Sequence, residues 1–161
     1  MSRQIHTIPA FFPPEARLLI LGSFPSVKSR ETGFYYGHPQ NRFWQVLSAL
    51  YQVSVPQTIP EKKALLYSQG IALWDVIESC EIIGSSDSSI KQVKTNPIGE
   101  YIRNVGIHRV FVNGKTAERL YRQYVEQGAG LPAICLPSTS PANAAWSLER
   151  LIQAWNILKT N

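Results

Sequence analysis

The sequence predicts an α/β fold: a three-layer α/β/α sandwich around a central, mostly parallel four-stranded sheet, built as a single domain over residues 1–161. Three observations predict it. Four short apolar runs recur along the chain, segments of helical period lie between them, and each run closes on a polar or turn-forming residue. A continuous apolar run of this length is the pattern of a strand covered on both faces. Strands alternating with helices then give a parallel sheet between two helical layers.

The first run is LLILG, Leu18–Gly22, followed by the segment GSFPSVKSRETGFYYGHPQNRFW from Gly22 to Trp44, which has neither helical nor strand periodicity. From Arg42 to Tyr51, residues Phe43, Trp44, Leu47, Leu50 and Tyr51 follow helical i, i+3, i+4, i+7 spacing and predict an amphipathic helix. A second helix is expected over Glu61–Gln69, just before the strand IALWD, Ile71–Asp75. The Ser-rich stretch Gly84–Ser89 reads as a loop. RVFVN, Arg109–Asn113, is the third strand and leads into a helix over Lys115–Tyr124; AICLP, Ala133–Pro137, is the fourth strand. Leu148, Leu151, Ile152, Trp155 and Leu158 make the apolar stripe of a C-terminal helix. No internal repeat, low-complexity tract or linker divides the chain.

Apolar residues make up 44% of the 161 and charged residues 17%, the balance of a chain with a packed core. No stretch reaches the ~18 apolar residues of a membrane span. The N-terminus lacks the charged-then-apolar plan of a signal peptide, so a cytoplasmic protein is expected. The net charge of +5 suits a polyanionic partner. Cys80 and Cys135 stand among apolar neighbours and are expected to be buried thiols. Two cysteines fall short of the usual four thiolates of an iron–sulfur cluster, and no His, Cys or carboxylate group has metal spacing. No cofactor or metal is expected.

Ligands of a parallel sheet sit beyond the carboxyl ends of its strands. Those ends carry Gly22–Ser26, Trp74–Asp75, Asn113–Gly114 and Pro137–Ser140. The side chains are aromatic or neutral and polar, and Asp75 and His38 are the titrating exceptions. Neither a phosphate-binding GxxxxGK[ST] loop, a GxGxxG nor a GxSxG elbow is present. Such a pocket suits a planar heterocycle, stacked on one face and read along its edge. In a basic protein that heterocycle can be a base flipped out of DNA.

The segment TGFYYGHPQNRFW resembles TGFPFAHPANRFW of the mismatch-specific uracil-DNA glycosylases. GSFPS stands where that group has its first catalytic motif, and LPSTSPAN where the superfamily has its second. The combination is most similar to family 6 of the uracil-DNA glycosylase superfamily, the hypoxanthine-DNA (deoxyinosine) glycosylases, from Leu18 to about Trp155. The resemblance implies a uracil-DNA glycosylase-like fold and a monofunctional glycosylase, acting as a monomer on DNA containing deaminated bases. Hypoxanthine is the first expected substrate. A mismatch or general uracil-DNA glycosylase, a non-catalytic DNA-binding module and a nucleosidase are the other readings. Two positions depart from the uracil enzymes. Phe24 replaces the Asn or Asp that positions water, and Leu136 replaces the His or Asn that opens the second motif.

Within family 6 the resemblance assigns catalysis to an Asn matched by Asn41, which on its own would also serve as the N-cap of the following helix. Tyr36 matches the aromatic that stacks on the flipped base, or is a core aromatic beneath the loop. Asp75 matches a base-reading Asn; it would accept the N1–H of hypoxanthine or act on the water, or else cap the next turn. Gly22, Ser23, Phe24 and Asn113 complete the expected base-binding set, although Asn113-Gly114 is also a plain tight turn. Ser138, Thr139, Ser140, Pro141 and Asn143 are expected against the DNA backbone, with Ser140 also a candidate N-cap ahead of Pro141. Lys115 is a candidate phosphate contact. Lys28, Arg30, Arg42, Lys91 and Lys94 are candidates for a basic face, and His38 for a hydrogen-bonder within its loop.

Overall fold

Leu18 and Ile20 face one side of their strand and Leu19 and Leu21 the other, and all four are buried. That two-sided burial places a helical layer on each face. The computed structural model describes residues 3–81 and 90–160, so the Ser-rich segment 84–89 lies outside the described residues. In chain order, β1 is Arg3–Ile5, β2 Leu18–Gly22, α1 Val27–Thr32, α2 Phe43–Tyr51, α3 Ile59–Gln69, β3 Ile71–Asp75, β4 Ile77–Glu81 and β5 Lys91–Thr95. Then follow α4 Ile98–Val105, β6 Arg109–Asn113, α5 Lys115–Tyr124, α6 Glu126–Ala129, β7 Ala133–Leu136 and α7 Leu148–Trp155.

The central sheet has the order β3-β2-β6-β7, and every pairing in it is parallel. Phe43 and Leu47 of α2, Leu66 of α3 and Trp155 of α7 pack on the face that presents Ile20, Leu73 and Phe111. On the opposite face, Ile102 of α4, Leu120 and Tyr121 of α5 and Ala129 of α6 cover Leu19, Leu21 and Val112. The three layers are those expected. Helix α3 begins two residues ahead of the expected Glu61, because Thr58 and Glu61 form a reciprocal capping box around Pro60.

Among the described residues, six elements are unmarked in the sequence: the helices α1, α4 and α6, the first of them inside the Gly22–Trp44 segment that shows no helical period, and three strands without an apolar run. β1, β4 and β5 form a small antiparallel sheet beside the main one. Its outer strands are largely exposed, which lets β5 read KQVKT. Cys80, on β4, is fully buried, whereas Cys135 is only partly so, because β7 is the edge strand of its sheet. Among the described residues, no helix is long and apolar enough to cross a membrane.

Candidate active site

A cavity of about 380 Å3 opens at the carboxyl ends of the four parallel strands. Gly22, Asp75 and Asn113 form its strand-end wall; Ser23, Phe24, Tyr36 and Asn41 come from the segment after β2. Ser138, Thr139 and Ser140 close it from the loop after β7. Of the expected site residues, Pro141, Asn143 and Lys115 alone do not line it. A cavity of about 410 Å3 at the opposite end of the sheet, beside Arg17, Tyr51 and Arg109, contains none of them. The convergence of polar groups from separate elements, and not size, makes the first cavity the site.

Asp75 is 3% exposed, and its carboxylate partner comes from outside the expected set. His6 Nε2 lies 2.8 Å from Asp75 Oδ2, both side chains being almost fully buried. An ionised carboxylate only accepts, so His6 Nε2 donates. The His6 backbone N–H donates to the Glu78 carbonyl at 2.7 Å, which extends the β1–β4 ladder and aims the ring at β3. The turn-capping reading of Asp75 does not hold. The strand end is secured instead by Asn96, whose Nδ2 donates to the carbonyls of Asp75 and Ile77 at 2.9 and 3.2 Å.

Gly22 pairs with Asp75 across the parallel ladder. A Cβ on Gly22 would stand 2.4 Å from Asp75 Oδ1 and 3.3 Å from Tyr36 Oη. The missing side chain lets these two oxygens converge. Gly22→Ala is therefore expected to cost about 1–3 kcal/mol of stability through overpacking, read by urea denaturation. A variant as stable as the parent would show that Asp75 has room to move.

Tyr36 adopts left-handed backbone geometry (φ 54°) and stacks on Phe43 at 4.0 Å and 18°. It is thus a core aromatic and also lines the cavity. Burial, with the charge of Asp75 adding to it, pushes the hydroxyl pKa well above the usual tyrosine range, so the proton stays on. The Asn113 amide offsets this in part from nearby. Neighbouring Tyr35 is 1% exposed and donates to the Pro9 carbonyl at 3.1 Å.

Phe24 is held as a wall, with the His6 ring edge-on at 5.9 Å and the Arg30 guanidinium 5.2 Å from its ring centre. Arg30 also donates to Gln4 Oε1 at 2.7 Å, so it is not a free surface cation. Leu136 is 3% exposed and packs in the core. Neither motif position supplies a polar catalytic group.

Asn41 precedes the first helical residue by two, and its Oδ1 accepts the Phe43 N–H at 3.0 Å. Asn41 is not the N-cap expected: Arg42 holds that position and makes no side-chain cap bond, while the Asn41 amide closes an Asx turn onto the first helical N–H, with its orientation set by that bond. The Nδ2 end has no protein partner among the described residues. His38 is a loop hydrogen-bonder as expected, accepting the Gln40 N–H on Nδ1 at 3.0 Å.

Arg42 joins the two halves of the site. Its guanidinium donates to the carbonyls of Trp146, Asn143 and Ser140, and its backbone N–H donates to the Thr139 carbonyl at 3.0 Å. Ser140 is not a helix N-cap: residues 141–146 form turns, and the next helix starts at Leu148, capped by Ser147. Carbonyls that a helix would need are taken by Arg42. Ser140 Oγ accepts the Ala142 N–H at 3.1 Å, a turn contact. The Asn113 amide is committed at both ends to Thr139, at 3.0 and 3.1 Å, and Asn143 Nδ2 donates to the Ser138 carbonyl at 2.9 Å. These two amides hold the loop.

Lys115 is exposed at the start of α5. Gly114 before it has φ 97°, and a Cβ there would meet Ser138 Cβ at 3.1 Å. Lys28 pairs with Glu31 at 3.7 Å and Lys94 with Glu78 at 3.4 Å, both exposed, while Lys91 lies exposed on β5. Among the described residues, no group of three or more His, Cys, Asp or Glu could hold a metal ion.

The comparisons with known proteins agree with this architecture. The family model described as the uracil DNA glycosylase superfamily matches residues 9–159. A curated Methanosarcina acetivorans protein named hypoxanthine DNA glycosylase is 32% identical over 144 residues, covering 88% of this chain and 90% of its own. A Methanosarcina barkeri protein of the same name is 36% identical over 91 residues, covering 53% of this chain and 57% of its own. The solution NMR structure of a Methanosarcina acetivorans protein, titled provisionally as a uracil DNA glycosylase, superposes with a TM-score of 0.79. It is 28% identical and covers 97% of this chain and 99% of that one.

Proposed function

The chain belongs to the uracil DNA glycosylase superfamily, and from that premise we propose that it is a monofunctional DNA glycosylase hydrolysing the N-glycosidic bond of deaminated bases, hypoxanthine first. The observation that carries this is one cavity at the strand ends joining Asn41, Asp75 and Tyr36, in a chain whose curated relatives are named hypoxanthine DNA glycosylases. The enzyme starts base excision repair as a monomer, with water and its own side chains as the chemistry.

In the reaction, water adds to C1′, the bond from C1′ to the base nitrogen breaks, the bonding pair leaves with the base, and the proton released by the water ends on that base. The sugar passes through an oxocarbenium-like state, so the site has to supply position and electrostatic stabilisation more than a strong base. With Oδ1 held by the Phe43 N–H, the Nδ2 protons of Asn41 are the end turned to the substrate. They donate to the departing base or to the water oxygen. Asp75 accepts from the N–H of the base edge. Adenine lacks that N–H and would leave a buried carboxylate unpaired, which costs roughly 1–3 kcal/mol or more. Ser138 and Ser140, with Asn143 and Pro141 behind them and Lys115 beside them, meet the DNA backbone, whereas Thr139, expected there, is fully buried and bonded to Asn113 and so holds the loop from within.

Labelled duplexes carrying inosine, uracil, xanthine or a G/T mismatch, treated with the protein and then alkali, test this. Breaks at inosine, at the highest rate in the set, are expected. Dominant cleavage at uracil would turn the reading to a uracil-DNA glycosylase. Tight, salt-sensitive binding without any break would turn it to a DNA-binding module, since phosphate contacts weaken with salt.

A further inference from the structure

The buried side-chain polar atoms without a partner among the described residues are Arg30 Nε, Tyr101 Oη and Tyr36 Oη. Of these residues, Tyr36 alone borders the cavity at the strand ends. Buried hydroxyls almost always have a partner, so an unpaired one beside a binding cavity needs a reason. The nearest side-chain amide does not supply one. Asn113 Oδ1 accepts the Thr139 N–H and its Nδ2 already donates to Thr139 Oγ1. What that amide has left near Tyr36 is an N–H, which cannot accept the phenol proton.

The other atom at this point of the wall is Asp75 Oδ1. It and Tyr36 Oη are the two atoms nearest to where a Cβ on Gly22 would stand, at 2.4 and 3.3 Å, so the bare Gly22 Cα lets them converge. Asp75 Oδ2 is occupied by the His6 N–H at 2.8 Å, so Oδ1 is the acceptor presented to the cavity. One proton donor and one acceptor therefore stand side by side, both buried: the donor on a ring that stacking against Phe43 prevents from swinging away, the acceptor on a carboxylate held by His6.

We propose that Tyr36 Oη and Asp75 Oδ1 form a donor–acceptor pair that reads the lactam edge, O=C–N–H, of a flipped base, and that His6 is the positioning residue that keeps Asp75 Oδ1 accepting. This rests on the glycosylase reading above and names its substrate class. The base carbonyl accepts the Tyr36 proton and the adjacent ring N–H donates to Asp75. Hypoxanthine, uracil and xanthine carry this edge. Adenine and cytosine carry its inverse, an amino donor beside an accepting ring nitrogen, and meet donor with donor and acceptor with acceptor. Guanine presents the same edge as hypoxanthine, so its exclusion falls to the cost of unpairing it from cytosine and not to these two atoms.

Binding, and not turnover, tests the pair. Duplexes with an uncleavable fluorinated sugar are titrated with inosine, nebularine or adenine at the target position. Nebularine is the purine that lacks both the carbonyl and the adjacent N–H. Tyr36→Phe keeps the ring on Phe43 and removes only the hydroxyl. It is expected to weaken the inosine duplex roughly tenfold, the worth of one buried hydrogen bond, and to leave the nebularine duplex within about twofold. His6→Ala is expected to narrow the preference for inosine over nebularine, and His6→Gln, which retains a side-chain N–H donor, to restore part of it. Equal losses on inosine and nebularine, or none on either, would overturn the pair while leaving the glycosylase reading intact. An unchanged preference in His6→Ala would remove the positioning role. A parent protein that binds inosine duplex no better than unmodified duplex would take both readings down together.

Discussion

Asn41→Ala is expected to slow single-turnover excision of hypoxanthine by about 100-fold or more, the scale seen when one oriented donor is removed from a site that stabilises developing charge. The same change deletes the acceptor for the Phe43 N–H, so it should also cost about 0.5–1.5 kcal/mol of stability as one lost hydrogen bond at the start of α2. Those two effects need separating, and Asn41→Asp does it. A carboxylate still accepts the Phe43 N–H but has no N–H to offer the departing base or the water. Stability near that of the parent with a rate near that of the alanine variant is the expected combination. Full excision rate in a normally folded Asn41→Ala protein would end the catalytic assignment and leave the turn ahead of α2 as the residue's whole function.

Asp75→Asn carries the second large effect. Its carbonyl can take the place of Oδ2 toward His6, which turns the new N–H2 to the cavity beside Gly22. A donor then faces the base where an acceptor stood. Excision of hypoxanthine is expected to fall by roughly 10- to 100-fold, because a donor opposing the base N–H is worse than a missing bond. The preference for inosine over adenine should narrow at the same time, since adenine offers an accepting nitrogen at that position. Single-turnover rates on duplexes differing only in that base measure both quantities. An unchanged inosine-to-adenine ratio would show that Asp75 takes no part in discrimination.

The pairing of His6 with Asp75 shows where sequence reading stops. The partners are 69 residues apart, and nothing in QIHTIP marks its histidine as different from an ordinary one in a turn. Only the antiparallel pairing of β1 with β4 carries the ring to the end of β3. Arg42 makes the same point. As a residue it is one basic side chain of HPQNR, a candidate for the surface. Folded, it captures three carbonyls of the loop after β7 and prevents a helix at Pro141.

The four strands of the main sheet and the helices α2, α3, α5 and α7 were determined locally, because a segment covered on both faces has to be apolar throughout, and one covered on a single stripe has to repeat at helical spacing; α1, α4 and α6 were not legible in this way. The motif residues Tyr36, Asn41 and Asp75, together with Ser138–Ser140, could likewise be placed at one end of the sheet from the order of strands alone. The tertiary structure decided which atoms of those residues remain available. It turned the Asn41 carbonyl to Phe43 and the Asn113 amide to Thr139, gave one Asp75 oxygen to His6, and left the Tyr36 proton without a protein acceptor among the described residues. Hydrogen-bond capacity is allotted by contacts between residues distant in the chain, and a linear pattern holds no record of which lone pair is already spent.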